Sequence, residues 1–442
     1  MSELLENWGL APIGSLCTLL NGRAFKPSDW TDKGLPIVRI QNLNKPEAQF
    51  NYFKGEVRER FLLNGGELLF AWSGTPGTSF GAHIWRGDKA VLNQHIFRVD
   101  FDELFIDKRF FRYAINQKLD ELIGVAHGGV GLRHVTKGVF EKTEIAVPPH
   151  PEQIRIADKL DSLLNKVDSC KEYLAHVSLI LKRFRQSVLA EAVSGKLTER
   201  WRDDNPKHLR ARKVILAETG SETMYGTSAK SQLEGKVPVL RMGNIQDGKL
   251  DWENLKFTSN QDEIEKYKLS PGDVLFNRTN SPEHVGKTAV YKGERPAIPA
   301  GYLIRVKCGN EILPDYLSYC LNSPYGVDWR WRVKSDGVSQ SNINATKLAA
   351  FEFSLPSLEE QHEIVHLVEA LFALANRLEA RWQAGQELVE KLTPSLLAKA
   401  FRGELVEQDP NDKPASVLLE RIRVEREKAQ AEKKTTKKKR AK

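Results

Sequence analysis

The sequence comprises 442 residues and carries a formal net charge of +8. Residues 420–442 hold 11 basic and 4 acidic side chains, so the rest of the chain is nearly neutral. Residues 1–419 therefore have no general excess of positive charge. Any DNA-binding face on them must come from local clustering of basic residues.

Cysteine usage and hydropathy limit the class of protein further. The four cysteines show no Cys-x-x-Cys or other metal-ligand spacing, and the N-terminal residues do not resemble a secretory signal. No apolar run approaches the ~18–20 residues that span a bilayer. We therefore expect a reduced cytoplasmic protein without a structural zinc or a membrane segment.

Residues 1–150 are predicted to form a globular domain of mixed α/β structure. Residues 35–43 predict a strand with a polar exit, and residues 66–72 predict a turn that leads into a buried strand. The apolar spacing of residues 106–122 is typical of a helix, and residues 143–149 predict a strand that prolines end.

Residues 151–199 are predicted to form a long helix. Apolar residues recur there at alternating steps of four and three, and this pattern holds over about five heptads. At ~1.5 Å rise per residue, such a helix is roughly 60 Å long. Its apolar stripe requires a helical partner.

The partner comes from an internal repeat. Residues 358–407 repeat the helix with an offset of 208 residues, from Glu152 to Glu360. The predicted seam between the two helices comprises Ile156, Leu160, Leu163, Val167, Leu174, Leu181, Ile364, Val368, Leu371, Leu378, Trp382 and Val389. Ten matched positions and matching end motifs make two unrelated amphipathic helices a poor alternative.

Residues 200–357 are predicted to hold a polar connector, up to residue 236, and a second domain that repeats the plan of the first. Landmarks of the first domain recur in it, with Pro238, Arg241 and Asn244 matching Pro36, Arg39 and Asn42. The chain is therefore a tandem duplication of α+β class, with each mixed α/β domain followed by a long helix. We expect residues 408–442 to form a basic, disordered tail, although residues 415–432 have helical character.

Several short motifs that suggest catalysis are incomplete. Residues 285–288 end like a phosphate-binding loop, but Ser281 stands where that loop requires glycine, and a strand follows. Gly129-Val130-Gly131 lacks the third glycine of a dinucleotide fingerprint. Asn322-Ser323-Pro324-Tyr325 differs from the amino-methyltransferase motif at its second residue and marks a helix end instead. We predict no catalytic and no metal-binding residue.

The duplicated order of domain and helix resembles the specificity subunit of type I restriction-modification systems. The resemblance rests on Pro151-Glu152-Gln153 and Glu359-Glu360-Gln361 at the helix starts and on the Leu-x-x-Ala-x-x-Gly-x-Leu pattern at both helix ends. Residues 181–202 are similar to the K-type enterobacterial, or type IA, subfamily. The resemblance covers nearly the whole chain except the basic tail.

The resemblance implies a non-catalytic subunit. Its two target-recognition domains each read one half of a bipartite, asymmetric double-stranded DNA target. The helices form an antiparallel coiled coil with pseudo-twofold symmetry, which fixes the spacer between the half-sites. The implied partners are two modification subunits, which methylate adenine with S-adenosylmethionine, and two restriction subunits, which use ATP and Mg²⁺. This chain itself is expected to bind no cofactor.

Candidate DNA-contacting residues are polar or basic loop residues whose side chains match groove edges. Those in the first domain are Arg23, Lys26, Ser73, Thr75, Thr78, Ser79, Asn93, Gln94, Arg133 and His134. Those in the second domain are Asn277, Arg278, Thr279, Asn280, Ser281, Lys287, Ser339, Gln340, Ser341 and Asn342. Any one of them could instead be a solvated turn residue, because turns collect these residue types.

Arg39, Asn42, Arg241 and Asn244 recur in both copies. Two readers of unlike half-sites should differ at the positions that contact bases. We therefore interpret these four residues as scaffold or backbone contacts.

Two other functions fit parts of the pattern. A coiled-coil scaffold or adaptor whose two domains bind protein or carbohydrate would share the duplicated helices, and retention on DNA that falls steeply with salt would argue against it. A methyltransferase with an unusual site would instead bind S-adenosylmethionine as an isolated chain.

Overall fold

The computed structural model describes residues 4–45, 48–74, 80–124, 133–207 and 211–440. The chain divides into two compact units, and each unit holds one globular domain with a segment of both long helices. The first unit comprises Met1–Glu172 and Gln386–Lys442, and the second comprises Tyr173–Gly385. The chain thus passes from one unit to the other within each helix.

The first domain is built around a four-stranded antiparallel sheet in the order β2-β10-β6-β8 and a second sheet in the order β4-β3-β9-β5. Its elements are β1 (Gly9–Pro12), α1 (Ile13–Leu16), β2 (Thr18–Asn21), β3 (Leu35–Val38), α2 (Ile40–Asn44), β4 (Asn51–Phe53), β5 (Leu62–Leu63), β6 (Leu68–Ala71), β7 (Ser73–Gly74), β8 (Gly81–Ile84), β9 (Ala90–Leu92), β10 (Ile96–Asp100), α3 (Lys108–Gln117), α4 (Leu119–Gly124), β11 (Arg133–His134), α5 (Lys137–Lys142) and β12 (Glu144–Val147). Two further pairs, β1 with β12 and β7 with β11, complete the domain.

The core of the first domain lies between the four-stranded sheet and α3. All four residues of β6 are buried, as the apolar run in the sequence predicts, and Phe110 and Phe111 of α3 are fully buried. The rings of Phe70 and Phe140 lie 4.4 Å apart. The predicted strand at residues 35–43 is confirmed only as far as Val38, because the chain then turns into α2.

The two predicted long helices are confirmed, but they end at Ser194 and Phe401 instead of at residues 199 and 407. The first is α6 (His150–Ser194, 45 residues), which is followed by the short α7 (Glu199–Asp204). Its end precedes Gly195, which adopts a φ of 77°. This left-handed conformation strongly favours glycine, so the glycine of the repeated end motif stops the helix.

The second domain repeats the topology of the first. Its elements are β13 (Arg212–Ile215), β14 (Glu222–Tyr225), β15 (Val237–Leu240), β16 (Ile245–Gln246), β17 (Lys249–Leu250), β18 (Lys256–Thr258), α8 (Gln261–Tyr267), β19 (Val274–Asn277), β20 (Thr279–Asn280), β21 (Thr288–Val290), β22 (Ile298–Pro299), β23 (Leu303–Lys307), α9 (Pro314–Asn322), α10 (Pro324–Val333), β24 (Ser335–Asp336), β25 (Ser341–Asn342), α11 (Ala345–Ala349) and β26 (Glu352–Leu355). The sheet β14-β23-β19-β21 corresponds to β2-β10-β6-β8, and the pair β13 and β26 corresponds to β1 and β12.

The predicted connector is too long. Residues 212–215 form β13 and residues 222–225 form β14, and both strands belong to sheets of the second domain. The polar composition of this stretch misled the prediction, because most side chains of these two strands are exposed.

The second long helix, α12 (Leu358–Phe401, 44 residues), packs against α6 in antiparallel fashion within the second unit. The indole nitrogen of Trp382 donates a hydrogen bond to the carbonyl oxygen of Leu174 (2.7 Å). Eleven residues further along α6, Arg185 lies 2.7 Å from Glu379, which precedes Trp382. The contacted residue of α12 lies earlier in the sequence as the contacting residue of α6 lies later, so the two helices are antiparallel.

Burial along the helices supports most of the predicted seam. Ile156, Leu160, Val167, Leu181, Ile364 and Val368 are buried, and Leu163, Leu174, Leu371, Trp382 and Val389 are half-buried. Leu378 is an exception, because its side chain is 43% exposed. The heptad spacing assigned it to the seam, but it lies outside the packed face.

The helical character predicted for residues 415–432 is present in the C-terminal tail, and the helix continues to Arg440, where we expected disorder. Residues Ala415–Arg440 form helix α13, whose first half packs on the first unit. Ile422 is 7% exposed and belongs to the core of that unit, and Arg426 donates a hydrogen bond to the carbonyl oxygen of Gly14 (2.8 Å). Apolar residues at helical spacing hold the beginning of this segment on the domain.

Candidate nucleic-acid interface

The candidate residues of the first domain meet at one end of its four-stranded sheet. Asn21 at the end of β2 pairs with Phe97 at the start of β10, which pairs with Phe70 near the end of β6. Antiparallel pairing therefore brings three loops together: the loop after β2, the loop before β10 and the loop after β6. Arg23, Asn93, Gln94 and Ser73 lie on these loops.

The loop after β2 presents positive charge beside aromatic rings. Arg23 forms an isolated β-bridge with Asn93, and its guanidinium lies 4.5 Å from the ring centre of Phe53. Lys26 is exposed, while its backbone N–H donates to Asp29 (2.8 Å) and thereby fixes the turn. These contacts hold Arg23 in place and leave the Lys26 ammonium group in solvent.

The loop after β6 carries a cluster of aromatic and imidazole groups. The hydroxyl of Ser73 lies 2.8 Å from Nδ1 of His134 across the β7–β11 pair. The ring of Trp72 lies 5.4 Å from that of His95 and 5.8 Å from that of His134. Burial is the main cause that lowers the pKa of His95, and the electrostatic effects of His134 and Arg39 act in the same direction. His95 is therefore neutral at pH 7 and can both donate and accept a hydrogen bond.

The second domain assembles its candidates at the corresponding sheet end. Strands β20 and β25 pair there, which places Asn342 opposite Thr279, and the Asn342 amide donates to the Thr279 hydroxyl (2.7 Å). Ser339 and Gln340 are exposed beside this pair. Lys287 precedes β21 and donates to the side chain of Gln246 (3.1 Å). The segments 277–281 and 339–342, distant in sequence, thus form one surface.

Burial separates the candidates into two groups. Asn277 and Ser341 are fully buried, and Ser73 is 5% exposed, so these three side chains do not present themselves to a base edge in this structure. Arg278, Thr279, Asn280, Ser281, Asn93 and Gln94 are half-buried. Thr75, Thr78 and Ser79 lie outside the described residues, and of Arg133 only the backbone is described.

The recurring arginine and asparagine residues have a structural role. The Asn42 amide accepts from the backbone N–H of Arg39 (3.1 Å) and donates to the carbonyl oxygen of Ala48 (3.1 Å). Asn244 makes the same contacts with Arg241 and Asp251, both at 3.0 Å. Asn42 and Asn244 are buried, so each closes the loop that follows its strand. The interpretation of these asparagines as scaffold is supported.

Sequence reasoning missed why the helix-start motif repeats. Gln153 is fully buried. It accepts from the backbone N–H of Asp107 (2.9 Å) and donates to the carbonyl oxygens of Phe105 (3.4 Å) and Pro148 (3.0 Å). These bonds fasten the start of α6 to its domain.

Gln361 makes the equivalent three bonds at the start of α12. It accepts from Leu313 (2.8 Å) and donates to Glu311 (2.9 Å) and Pro356 (3.0 Å). Retention of glutamine at the same place of both helix starts is the one signal in the sequence that points to a shared role, but it does not identify the bonds.

The preceding glutamates tie each helix start to the segment that follows the other helix. Glu152 accepts from Trp8 (3.1 Å) and from Gln408, which lies beyond α12. Glu360 accepts from Thr198 (2.7 Å) and from Arg202, which lie beyond α6. The start and end motifs of the repeat therefore meet within each unit.

Two of the three incomplete catalytic motifs have structural roles, and the third, Gly129-Val130-Gly131, lies outside the described residues. Thr288 begins β21, so residues 285–288 lead into a strand, as the sequence predicts. Asn322 ends α9, and its amide donates to the carbonyl oxygen of Thr288 (2.8 Å). Within the described ranges no group of three or more potential metal-ligating side chains occurs, and no helix there is long and apolar enough to cross a membrane.

Comparison with known proteins assigns a family. Residues 5–178 and 216–385 each match the type I restriction modification DNA specificity domain. The EcoBI specificity subunit of Escherichia coli is 32% identical, with 95% of this chain and 93% of that protein covered. The EcoKI specificity subunit of Escherichia coli strain K12 is 30% identical, with 96% of each covered.

Solved structures share the fold. A chain from a study of complex assembly and conformational transition of the type I R-M system matches with a TM-score of 0.72 at 19% identity, over 91% of this chain and 100% of that one. The HsdS subunit from Thermoanaerobacter tengcongensis matches with a TM-score of 0.58 at 19% identity, over 91% and 98%. The chain belongs to the type I restriction-modification specificity subunits.

Proposed function

We propose that this chain selects the DNA target of a type I restriction-modification complex by reading two unlike half-sites, one with each domain. The observation that carries the proposal is the repeated sheet end, where one backbone arrangement holds different polar side chains in the two domains. Because the two readers differ, the target is bipartite and asymmetric. The chain contributes recognition, and catalysis belongs to its partners.

The partners are two modification subunits and two restriction subunits, which would bring S-adenosylmethionine, ATP and Mg²⁺ to the complex. Exposed apolar side chains on the long helices support a docking role. Ile180 is 60% exposed and Leu388 is 65% exposed, and Leu378 is 43% exposed. Leu179, next to Ile180 in the chain, is 46% exposed, and exposed apolar side chains that lie together are typical of a protein interface.

A selection experiment tests the proposal. The chain is purified in complex with the modification subunit encoded beside it and is incubated with a pool of randomised DNA duplexes, and the retained DNA is sequenced. We expect enrichment of two unlike base blocks at a fixed separation, with retention that falls as salt rises.

The alternative scaffold function makes the opposite prediction. An adaptor for protein or carbohydrate would enrich no base block, although the same complex assembles. The control is the modification subunit alone, for which we expect no enrichment of a split sequence.

A further inference from the structure

Two positions in each domain are equivalent by backbone hydrogen bonding. The N–H of Trp72 donates a hydrogen bond to the carbonyl oxygen of His95 (3.3 Å). The N–H of Arg278 donates a hydrogen bond to the carbonyl oxygen of Tyr302 (3.0 Å). The carbonyl oxygen of Trp72 accepts a hydrogen bond from the N–H of Val135, which follows β11 (2.9 Å). The carbonyl oxygen of Arg278 accepts one from the N–H of Ile343, which follows β25 (2.9 Å). Trp72 therefore corresponds to Arg278, and His95 corresponds to Tyr302.

A second pair of positions is equivalent through the two small strand pairs. Ser73 lies opposite His134, and Thr279 lies opposite Asn342. In both domains a hydroxyl meets a nitrogen across the pair, at 2.8 Å in the first and 2.7 Å in the second. The bond that shapes the loop is retained while the partner of the hydroxyl changes from imidazole to amide.

The sheet-end positions, where the backbone bonds are retained and the side chains differ, contrast with the scaffold positions. Asn42 and Asn244, like Gln153 and Gln361, keep both their identity and their contacts in the two domains. At the sheet end the backbone is kept, but an indole and an imidazole in one domain replace a guanidinium and a phenol in the other. A position that needed only to support the loop would not require such different chemistry.

The same sheet ends concentrate polar atoms that lack partners. Eight buried side-chain nitrogen or oxygen atoms have no hydrogen-bond partner among the described residues, and five of them belong to Trp72, His95, Asn277 and Arg278. A buried polar group without a partner is unfavourable, because it has lost its hydrogen bonds to water. Their clustering at one place in both domains indicates that a polar ligand or its bound water completes these groups.

We propose that Trp72 and His95 determine the base preference of the first domain and that Arg278 and Tyr302 determine that of the second. The inference rests on the proposed function, because it names the side chains that read each half-site. Tyr302 is 50% exposed, and the guanidinium of Arg278 lies 4.6 Å from the ring centre of Tyr225, which holds it in place. Indole, imidazole, phenol and guanidinium groups all offer hydrogen bonds to base edges.

The test maps N6-methyladenine in a methylation-free host that expresses the modification subunit with variants of this chain. The variants are His95→Ala and Trp72→Phe in the first domain, and Tyr302→Ala and Arg278→Lys in the second. We expect both substitutions in one domain to act on the same half-site, with about 5- to 100-fold loss of discrimination at one or two base pairs. The other half-site keeps its wild-type bases.

The controls are Leu104→Ala and Leu233→Ala, whose side chains are 78% and 74% exposed and take no part in the contacts described above. For any variant that does not assemble, His95→Gln or Tyr302→Phe keeps the packing and removes or alters the polar group. Wild-type discrimination at both half-sites in an assembled, methylating complex would overturn the inference. Absence of any split motif with the wild-type chain would instead overturn the proposed function.

Discussion

At the residue scale, the duplication distinguishes side chains that build the scaffold from those that differ between the readers. Gln153 and Gln361 make the same three bonds, although they lie in domains with little sequence similarity between the landmarks. Residues that are identical in the two repeats have structural roles. Positions where the backbone is retained but the side chain differs are the candidate readers.

Replacing Gln153 with leucine should destabilise the first unit. The substitution leaves one N–H and two carbonyl groups without their partner, and the expected loss in the free energy of unfolding is about 3 kcal/mol or more. Urea unfolding of the purified chain measures it. Gln361→Leu should cost a similar amount in the second unit, and the exposed Gln383→Leu is the control, with a change within about 0.5 kcal/mol.

A Gln153→Leu variant as stable as the control would contradict the fastening role of this glutamine. The sequence predicted a helix start here, but it could not predict the buried bonds. The atoms that Gln153 contacts, such as the N–H of Asp107, belong to the backbone and leave no residue-type signal.

Sequence reasoning also missed Trp72 and His95 as site residues. Candidates were chosen by residue type on loops, and Trp72 follows an apolar strand that suggested core. Only the pairing of β10 with β6 brings His95 beside it. Long-range strand pairing is therefore the information that a single sequence does not display.

At the scale of elements, prediction succeeded where the signal is local and periodic. The heptad spacing predicted both long helices, but their predicted ends at residues 199 and 407 lie beyond the observed ends at Ser194 and Phe401, which precede Gly195 and Gly403. Strands β7 and β11 have two residues each and carry no periodicity, so they were not predicted, although they form the candidate interface. The helical character of residues 415–432 was predicted, but the continuation of α13 to Arg440 was not, because a run of lysines dominates the end of the tail.

Helix α13 should detach when a charge is placed in its buried face. Ile422→Asp puts a carboxylate into the core of the first unit, and an unpaired buried charge is strongly unfavourable. We expect trypsin to cleave at Arg421 and Arg423 at least about tenfold faster, because the released helix unfolds more often. The matched control is Val424→Asp, whose side chain is already 36% exposed.

Equal cleavage rates for the Ile422 and Val424 variants would show that α13 does not need its packed face. Gly9 offers a second check, because a Cβ atom there would lie 2.7 Å from a Leu419 methyl group. Gly9→Ala should therefore accelerate cleavage in the same direction, by a smaller factor.

At the scale of the whole molecule, two repeats supply two readers, and the helices that join them should set the spacer between the half-sites. Deleting residues 171–177 together with 379–385 removes one heptad from each helix, or about 10 Å of length. We expect the spacer between methylated half-sites to change by about three base pairs, at ~3.4 Å per base pair. The bases of both half-sites should stay the same.

Deletion of three residues from each helix is the control, because it breaks the heptad phase and should prevent assembly. Half-site bases that change with the seven-residue deletion would contradict the separation of reading from spacing.

The most direct test of the central claim is the methylation pattern of the wild-type complex. The chain and the modification subunit encoded beside it are expressed together in a methylation-free host, and N6-methyladenine is mapped across the genome. We predict one split motif with two unlike halves and a fixed unspecified spacer. A palindromic or continuous motif, or no methylation by an assembled complex whose modification subunit is active with another specificity subunit, would contradict the account.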